Sequence, residues 1–120
     1  MTDELAALDP AALDRMLEMT GGDPEFLDEL VTTYLEDAGV QLGAMLAAAE
    51  AGSAEAMVRP AHSLKGNSAS MGAERLAEHC RQLESDGRSG RVEDAVRRVQ
   101  AAGAEFERVK VELRRLRAAG

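Results

Sequence analysis

The sequence predicts an all-α protein, an antiparallel up-down four-helix bundle with a short additional N-terminal helix. Leu, Ala, Val and Met supply most apolar residues, and only three aromatic residues are present. No segment alternates between polar and apolar residues, whereas apolar residues recur at three- and four-residue spacing. Short glycine-containing loops join these segments, and such helices pack antiparallel. By length the chain is one domain, residues 1–120, with the bundle core at about 24–118.

Capping signals place the individual helices. Aspartate caps helix N-termini and proline suits the first helical position. The pairs Asp9-Pro10 and Asp23-Pro24 therefore predict a short helix from Asp9 to Met19, lying as a lid, and a long helix over about 24–51. Glycines that stop helices predict three more, over about 54–70, 73–86 and 91–118, the fourth ending at Gly87.

Each predicted helix has an apolar stripe that should face the core. In chain order the stripes are Leu13, Met16 and Leu17; Leu27, Leu30, Val31, Tyr34, Ala38, Leu42, Met45 and Leu46; Met57, Ala61, Leu64, Ser68 and Met71; Leu76, Cys80 and Leu83; and Val92, Val96, Val99, Phe106, Val109, Leu113 and Leu116.

Charge and composition exclude several classes of protein. The net charge of −8 disfavours nucleic acid and anionic membranes as partners. Residues 1–58 carry 13 acidic residues and one basic residue, whereas residues 59–120 carry nine and 13. This division either polarises the surface or is neutralised across the bundle. No apolar run could span a membrane, the N-terminus lacks the basic start of a signal peptide, and Cys80 cannot form an internal disulfide. We expect a cytoplasmic monomer.

The third helix places unusual residues on its exposed face. At about 100° per residue, His62 and Gly66 point away from the apolar stripe, and Lys65 flanks His62. A glycine inside a helix costs roughly 1 kcal/mol relative to alanine, so on a solvent face it favours close approach of another molecule. A neutral imidazole can accept a phosphoryl group, and Lys65 and Arg59 would offset the added negative charge. Taken singly, each of these residues is also typical of an ordinary solvated helix surface.

A known motif coincides with this face. His62-Ser63-Leu64-Lys65-Gly66, with a second glycine ten residues after the histidine, resembles the signature of histidine-containing phosphotransfer (HPt) domains. The small residues between the two glycines fit as well, and the resemblance extends from about Leu8 to Leu116. It implies a four-helix bundle whose phosphoaccepting histidine is exposed in mid-helix.

The resemblance also implies roles for single residues. His62 would be phosphorylated on Nε2, Lys65 would steady the phosphoryl group, and Gly66 would leave room for the partner, with Ala69 on the same open face. Glu84 falls where the family often has a glutamine that hydrogen-bonds the other imidazole nitrogen. A carboxylate there could fix the tautomer. Alternatively, Glu84 is a surface acid near a helix end.

Pro60 departs from an ordinary helix two residues before His62. It removes the backbone hydrogen bond to the carbonyl of Ala56 and clashes with that turn. Either the third helix is kinked there, which would re-aim His62, or it is irregular before Pro60 and regular after it.

The resemblance implies a phosphorelay carrier. A receiver domain bearing an aspartyl phosphate, in a response regulator or a hybrid sensor kinase, would dock over His62 and supply the Mg²⁺. The chain would hold no metal or cofactor of its own and would not be an enzyme. His79 is expected to be a half-buried flank residue, and no spacing of ligands fits a metal site. Two alternatives stay open: a phosphoacceptor domain excised from a hybrid or chemotaxis-type kinase, and a bundle that only binds a protein partner.

Overall fold

A computed structural model shows five α-helices and describes residues 7–119, with only the backbone described at Leu13 and at residues 117–119. The predicted burial of Leu13 lies outside the described side chains. The helices are α1 (Pro10–Met19), α2 (Pro24–Glu50), α3 (Ala54–Ser70), α4 (Glu74–Arg88) and α5 (Ala95–Ala119). None of the helices in this part of the chain is both long and apolar enough to cross a bilayer.

The predicted four-helix bundle is confirmed. Helix α2 packs against α3, α3 against α4, α4 against α5, and α5 returns to α2. Chain neighbours are therefore packed neighbours, as short loops require. Met45, Met57, Leu64, Leu76 and Leu113 are fully buried at the centre.

Helix α1 lies against the turn between α3 and α4. Its cap Asp9 accepts from the backbone N–H of Ala11, and the Asp9 N–H donates to the carbonyl of Gly72 at 2.8 Å. Gly72 has a φ of +82°, a conformation that glycine adopts without steric cost, and this turn ends α3 as predicted. Leu17, predicted to be in the apolar stripe of α1, is instead partly exposed, with 38% of its surface accessible. A short helix at the end of a bundle has only one side to bury.

The predicted start of the fifth helix is wrong. Helix α5 begins at Ala95, because Asp94 has a φ of +61° and lies outside any right-handed helix. The chain turns here: the N–H of Arg91 donates to the carbonyl of Asp86, and that of Ala95 to the carbonyl of Val92. Val92 is therefore in the loop rather than in the apolar stripe of the helix.

The predicted end of the fourth helix is also wrong. Helix α4 continues through Gly87 to Arg88. A Cβ at Gly87 would lie 2.8 Å from the carbonyl oxygen of Ala54 and 2.9 Å from Cγ2 of Val58. The missing side chain thus permits close approach of α3 and α4, which is a packing role that spacing along one helix does not reveal.

Helix α3 is continuous through Pro60. It is α-helical on both sides of this buried proline, so the alternative of an irregular segment before Pro60 is wrong. The kink stays a prediction.

Substituting Gly87 tests the close contact between α3 and α4. We expect Gly87→Ala to lower the free energy of unfolding by about 1–3 kcal/mol, because the Ala54 carbonyl is backbone and cannot easily move. The control Gly39→Ala, on an open face of α2, should raise stability by roughly 0.5–1 kcal/mol. Urea unfolding measures both, and equal effects of the two substitutions would contradict the packing role.

Candidate functional site

The orientation of α3 about its own axis determines which of its side chains are exposed. Met57, Ala61, Leu64 and Ser68 are completely buried, as predicted. The opposite face is open, and 63% of the His62 side chain is accessible to solvent. An exposed imidazole in the middle of a rigid helix can be reached by another molecule without unfolding.

A hydrogen bond from α4 orients the His62 ring. Its Nδ1 lies 3.0 Å from Oε2 of Glu84. A carboxylate only accepts, so Nδ1 carries the proton and donates. The other ring nitrogen, Nε2, then keeps its lone pair, which makes it the nucleophilic atom of a neutral imidazole.

Glu84 is a buried carboxylate surrounded by cations. Only 8% of its side chain is accessible, and Lys65 Nζ lies 2.8 Å from Oε1 while Arg88 Nη2 lies 2.8 Å from Oε2. The hydrogen bonds from Lys65 and Arg88, with a smaller one from His62, lower the pKa of Glu84 to about 2 and outweigh the opposing effect of burial. Glu84 is therefore ionised at every pH at which an imidazole is neutral.

The two cations predicted beside His62 occupy different places. Lys65 is bound to Glu84, one turn along α3 from His62. Arg59 is exposed and lines a surface groove with Glu55, Val58 and Arg88. Lys65 therefore belongs to one cluster with His62, Glu84 and Arg88, and Arg59 lies at the edge of this cluster.

Arg88 is the member of the cluster that the sequence analysis missed. It follows Glu84 by four residues on the same helix, the spacing at which an acid and a base meet. That spacing is a usable signal, although Arg88 lies beyond the predicted end of the fourth helix at Gly87.

The surface next to His62 carries little side chain. A Cβ at Gly66 would meet nothing within 4 Å, and Ala69, two residues before Met71, is exposed. The predicted open face is therefore present in the structure, and the backbone of α3 is accessible there at Gly66.

Polar contacts between α2 and α3 hold this face in register. The Tyr34 hydroxyl and Ser68 Oγ are 2.8 Å apart in the core, and Asn67 Nδ2 donates to Asp37 at 3.0 Å nearer the surface. Burial raises the pKa of Tyr34 to about 12, so the phenol stays protonated. A cavity of about 350 Å³ lies beside these contacts, lined in part by Leu30 and Met71.

Residues with other predicted roles lie apart from the site. His79 is half-buried on α4, and Cys80 is fully buried, where burial raises the pKa of its thiol to about 12. Within the described residues, no three His, Cys, Asp or Glu side chains form a group that could hold a metal ion.

Comparisons with known proteins agree with this geometry. The family model for the Hpt domain matches residues 29–119. The crystal structure of histidine-containing phosphotransfer protein B (HptB) from Pseudomonas aeruginosa PAO1 is similar, with a TM-score of 0.85 and 32% sequence identity over 97% of this chain and 98% of that chain. No curated protein sequence matches the chain significantly. Since the family model covers most of the sequence, the chain belongs to the Hpt domain family.

Proposed function

We propose that this chain carries a phosphoryl group on Nε2 of His62, accepting it from the aspartyl phosphate of one receiver domain and passing it to the aspartate of another. The observation that supports this most directly is the hydrogen bond between His62 Nδ1 and Glu84, because it leaves Nε2 as an exposed nucleophile. The chain would act as a stoichiometric carrier rather than as an enzyme that turns over alone.

The transfer step needs no proton movement at His62. The Nε2 lone pair attacks phosphorus in line, the P–N bond forms, and the P–O bond to the receiver's aspartate breaks with its electrons returning to that carboxylate. The ring becomes positively charged while Nδ1 keeps its proton. Glu84 accepts that hydrogen bond and stabilises the charge. The same atoms support the reverse step towards a second receiver.

This chain and the receiver domain would contribute different parts of the site. Lys65 would pair with the phosphoryl group, with Arg59 at the edge of the site adding positive field. Gly66 and Ala69 would let the receiver approach the backbone of α3. Mg²⁺ and most of the electrostatic catalysis would come from the receiver, where the carboxylates of its own site can bind the ion.

Phosphorylation of His62 is the decisive test. The full chain is incubated with Mg²⁺ and each of a panel of phosphorylated receiver domains, and intact mass and peptide mapping follow the product. We expect one acid-labile phosphoryl group on His62, none in His62→Gln, and normal labelling in His79→Gln, which alters the other histidine of the chain.

The alternatives give different patterns in the same assay. Labelling only by the ATP-binding domain of a histidine kinase would favour a phosphoacceptor domain of a kinase. No labelling of the folded protein by any donor would contradict the carrier and favour a bundle that only binds a partner.

Substituting Gly66 tests whether this position matters for the approach of the receiver rather than for the transfer of the phosphoryl group. We expect Gly66→Leu to fold normally, because its Cβ direction is open, and to accept phosphoryl from a receiver at least about tenfold more slowly, the cost of a side chain within a close-packed interface. Labelling by phosphoramidate, a donor small enough to avoid the obstruction, should change little. Gly39→Leu, on an open part of α2, serves as the control. A similar loss with both donors would contradict a role in partner approach.

Glu84 makes stability depend on pH. Its pKa is about 2 in the folded protein, against the ordinary value of 4.5 in the unfolded chain, so its contribution is complete above 4.5 and is lost as pH falls towards 2. We expect the difference in unfolding free energy between wild type and Glu84→Gln to shrink over this range, measured by urea unfolding. Glu29→Gln, an exposed acid on α2, should show no such trend. A difference that is constant with pH for Glu84→Gln would contradict the charge network.

A further inference from the structure

The Glu84 carboxylate divides its two oxygens between different partners. Oε1 binds Lys65, at 2.8 Å. Oε2 binds both His62 Nδ1, at 3.0 Å, and Arg88, whose Nη2 lies at 2.8 Å and Nε at 3.3 Å. Arg88 therefore shares with the imidazole the oxygen that orients the ring.

This arrangement creates a conflict for Lys65. A phosphoryl group on Nε2 brings about two negative charges at neutral pH, and Lys65 is the cation one turn away on the same helix. The larger charge of that group draws the Lys65 ammonium away from Glu84. A buried carboxylate that loses a cation is strongly destabilised unless another cation remains. Without such a replacement, the charge of the phosphoryl group and the charge of Glu84 would compete for one lysine.

We propose that Arg88 is a positioning residue: it holds Glu84 ionised and aimed at His62 Nδ1 while Lys65 moves from Glu84 to the phosphoryl group. This inference rests on the proposed function. Arg88 suits the role because two of its nitrogens contact one oxygen and because it lies on the same helix as Glu84, so phosphorylation on α3 does not disturb the pair.

The charges through the step balance under this arrangement. Before transfer, Glu84 faces Lys65, Arg88 and the Nδ1–H of a neutral ring. After transfer, the P–N bond has formed, the ring is positively charged, and Glu84 faces that ring and Arg88 while Lys65 faces the phosphoryl oxygens. One carboxylate thus has two cationic partners in both states.

Other cations near the cluster cannot replace Arg88 in this way. Arg81 lines the same surface pocket as Lys65 and Glu84, but its guanidinium binds Glu78 on its own helix. Arg59 contributes to the neighbouring groove and is not among the partners of Glu84 in the part of the chain described. Arg81 is therefore a matched control: it has the same charge, the same helix and the same pocket, with a different partner.

The test uses phosphoramidate as donor, so that no receiver has to be identified. The full chain and the variants Arg88→Gln, Arg88→Lys, Arg81→Gln, Glu84→Gln and Arg88→Gln/Glu84→Gln are labelled, and intact mass gives the rate at His62. We expect Arg88→Gln to be about tenfold slower, the scale of one lost contact to a buried charged acceptor. Arg88→Lys should recover to within about threefold of wild type, because it restores the cation, and Arg81→Gln should resemble wild type.

The double variant decides how Arg88 acts. Glutamine at position 84 can still accept from Nδ1–H but has no charge to hold, so Arg88→Gln should change the rate less than about twofold in that background. A tenfold loss that persists there would mean that Arg88 contacts the phosphoryl group directly, and would overturn the proposal. So would equal rates for Arg88→Gln and Arg81→Gln when wild type is labelled. Failure of wild type to be labelled at His62 by any donor would instead count against the proposed function.

Discussion

The burial of one face of α3 is the constraint on which the rest of the site depends. The buried face of α3 consists of Met57, Ala61, Leu64 and Ser68. Because these side chains fill the centre of the bundle, they fix the orientation of α3 about its own axis. Any other rotation would expose fully buried side chains at a cost of about 1.5–3 kcal/mol for each large one. The hydrogen bond between Tyr34 and Ser68 adds direction to this apolar packing, because a buried hydroxyl needs its partner. The exposure of His62 is thus a consequence of core packing on the far side of its own helix.

A second constraint is the charge balance at Glu84. A carboxylate with 8% of its side chain accessible needs partners in place of water, and Lys65 on α3 and Arg88 on α4 are cations that supply them. The same carboxylate selects the imidazole tautomer, so the group that links α3 to α4 also leaves Nε2 of His62 unprotonated. The ionised Glu84 on α4 and the tautomer of His62 on α3 therefore depend on each other, and both need the two helices to be packed together.

Two glycines show how position changes the meaning of a residue type. Gly66 faces open space on α3, where a Cβ would meet no other atom of the described residues within 4 Å. Gly87 faces the backbone of α3 at 2.8 Å, where a missing side chain lets two helices of this chain approach each other.

The charges of the two halves of the chain are distributed differently. Basic residues of the second half, residues 59–120, pair largely with acids of the same half, such as Arg98 with Asp86, while α2 keeps exposed acids such as Glu29 and Glu36. Because the bases pair largely within their own half, the surface of the bundle is polarised rather than neutralised between the two halves of the chain.

Local sequence patterns determined most of the fold and half of the site. Asp-Pro pairs set the starts of α1 and α2, apolar periodicity set the buried face of α3, and the opposite face then had to expose His62 and Gly66, with Lys65 at its flank. Only the tertiary structure decided what lies across from that face. The end of α4, the burial of Glu84 and its contacts with His62 and Lys65 depend on how closely α3 and α4 approach each other, and that distance depends on side chains far apart in the chain. The start of α5 escaped prediction for a related reason, since the left-handed backbone at Asp94 belongs to a turn that closes the bundle.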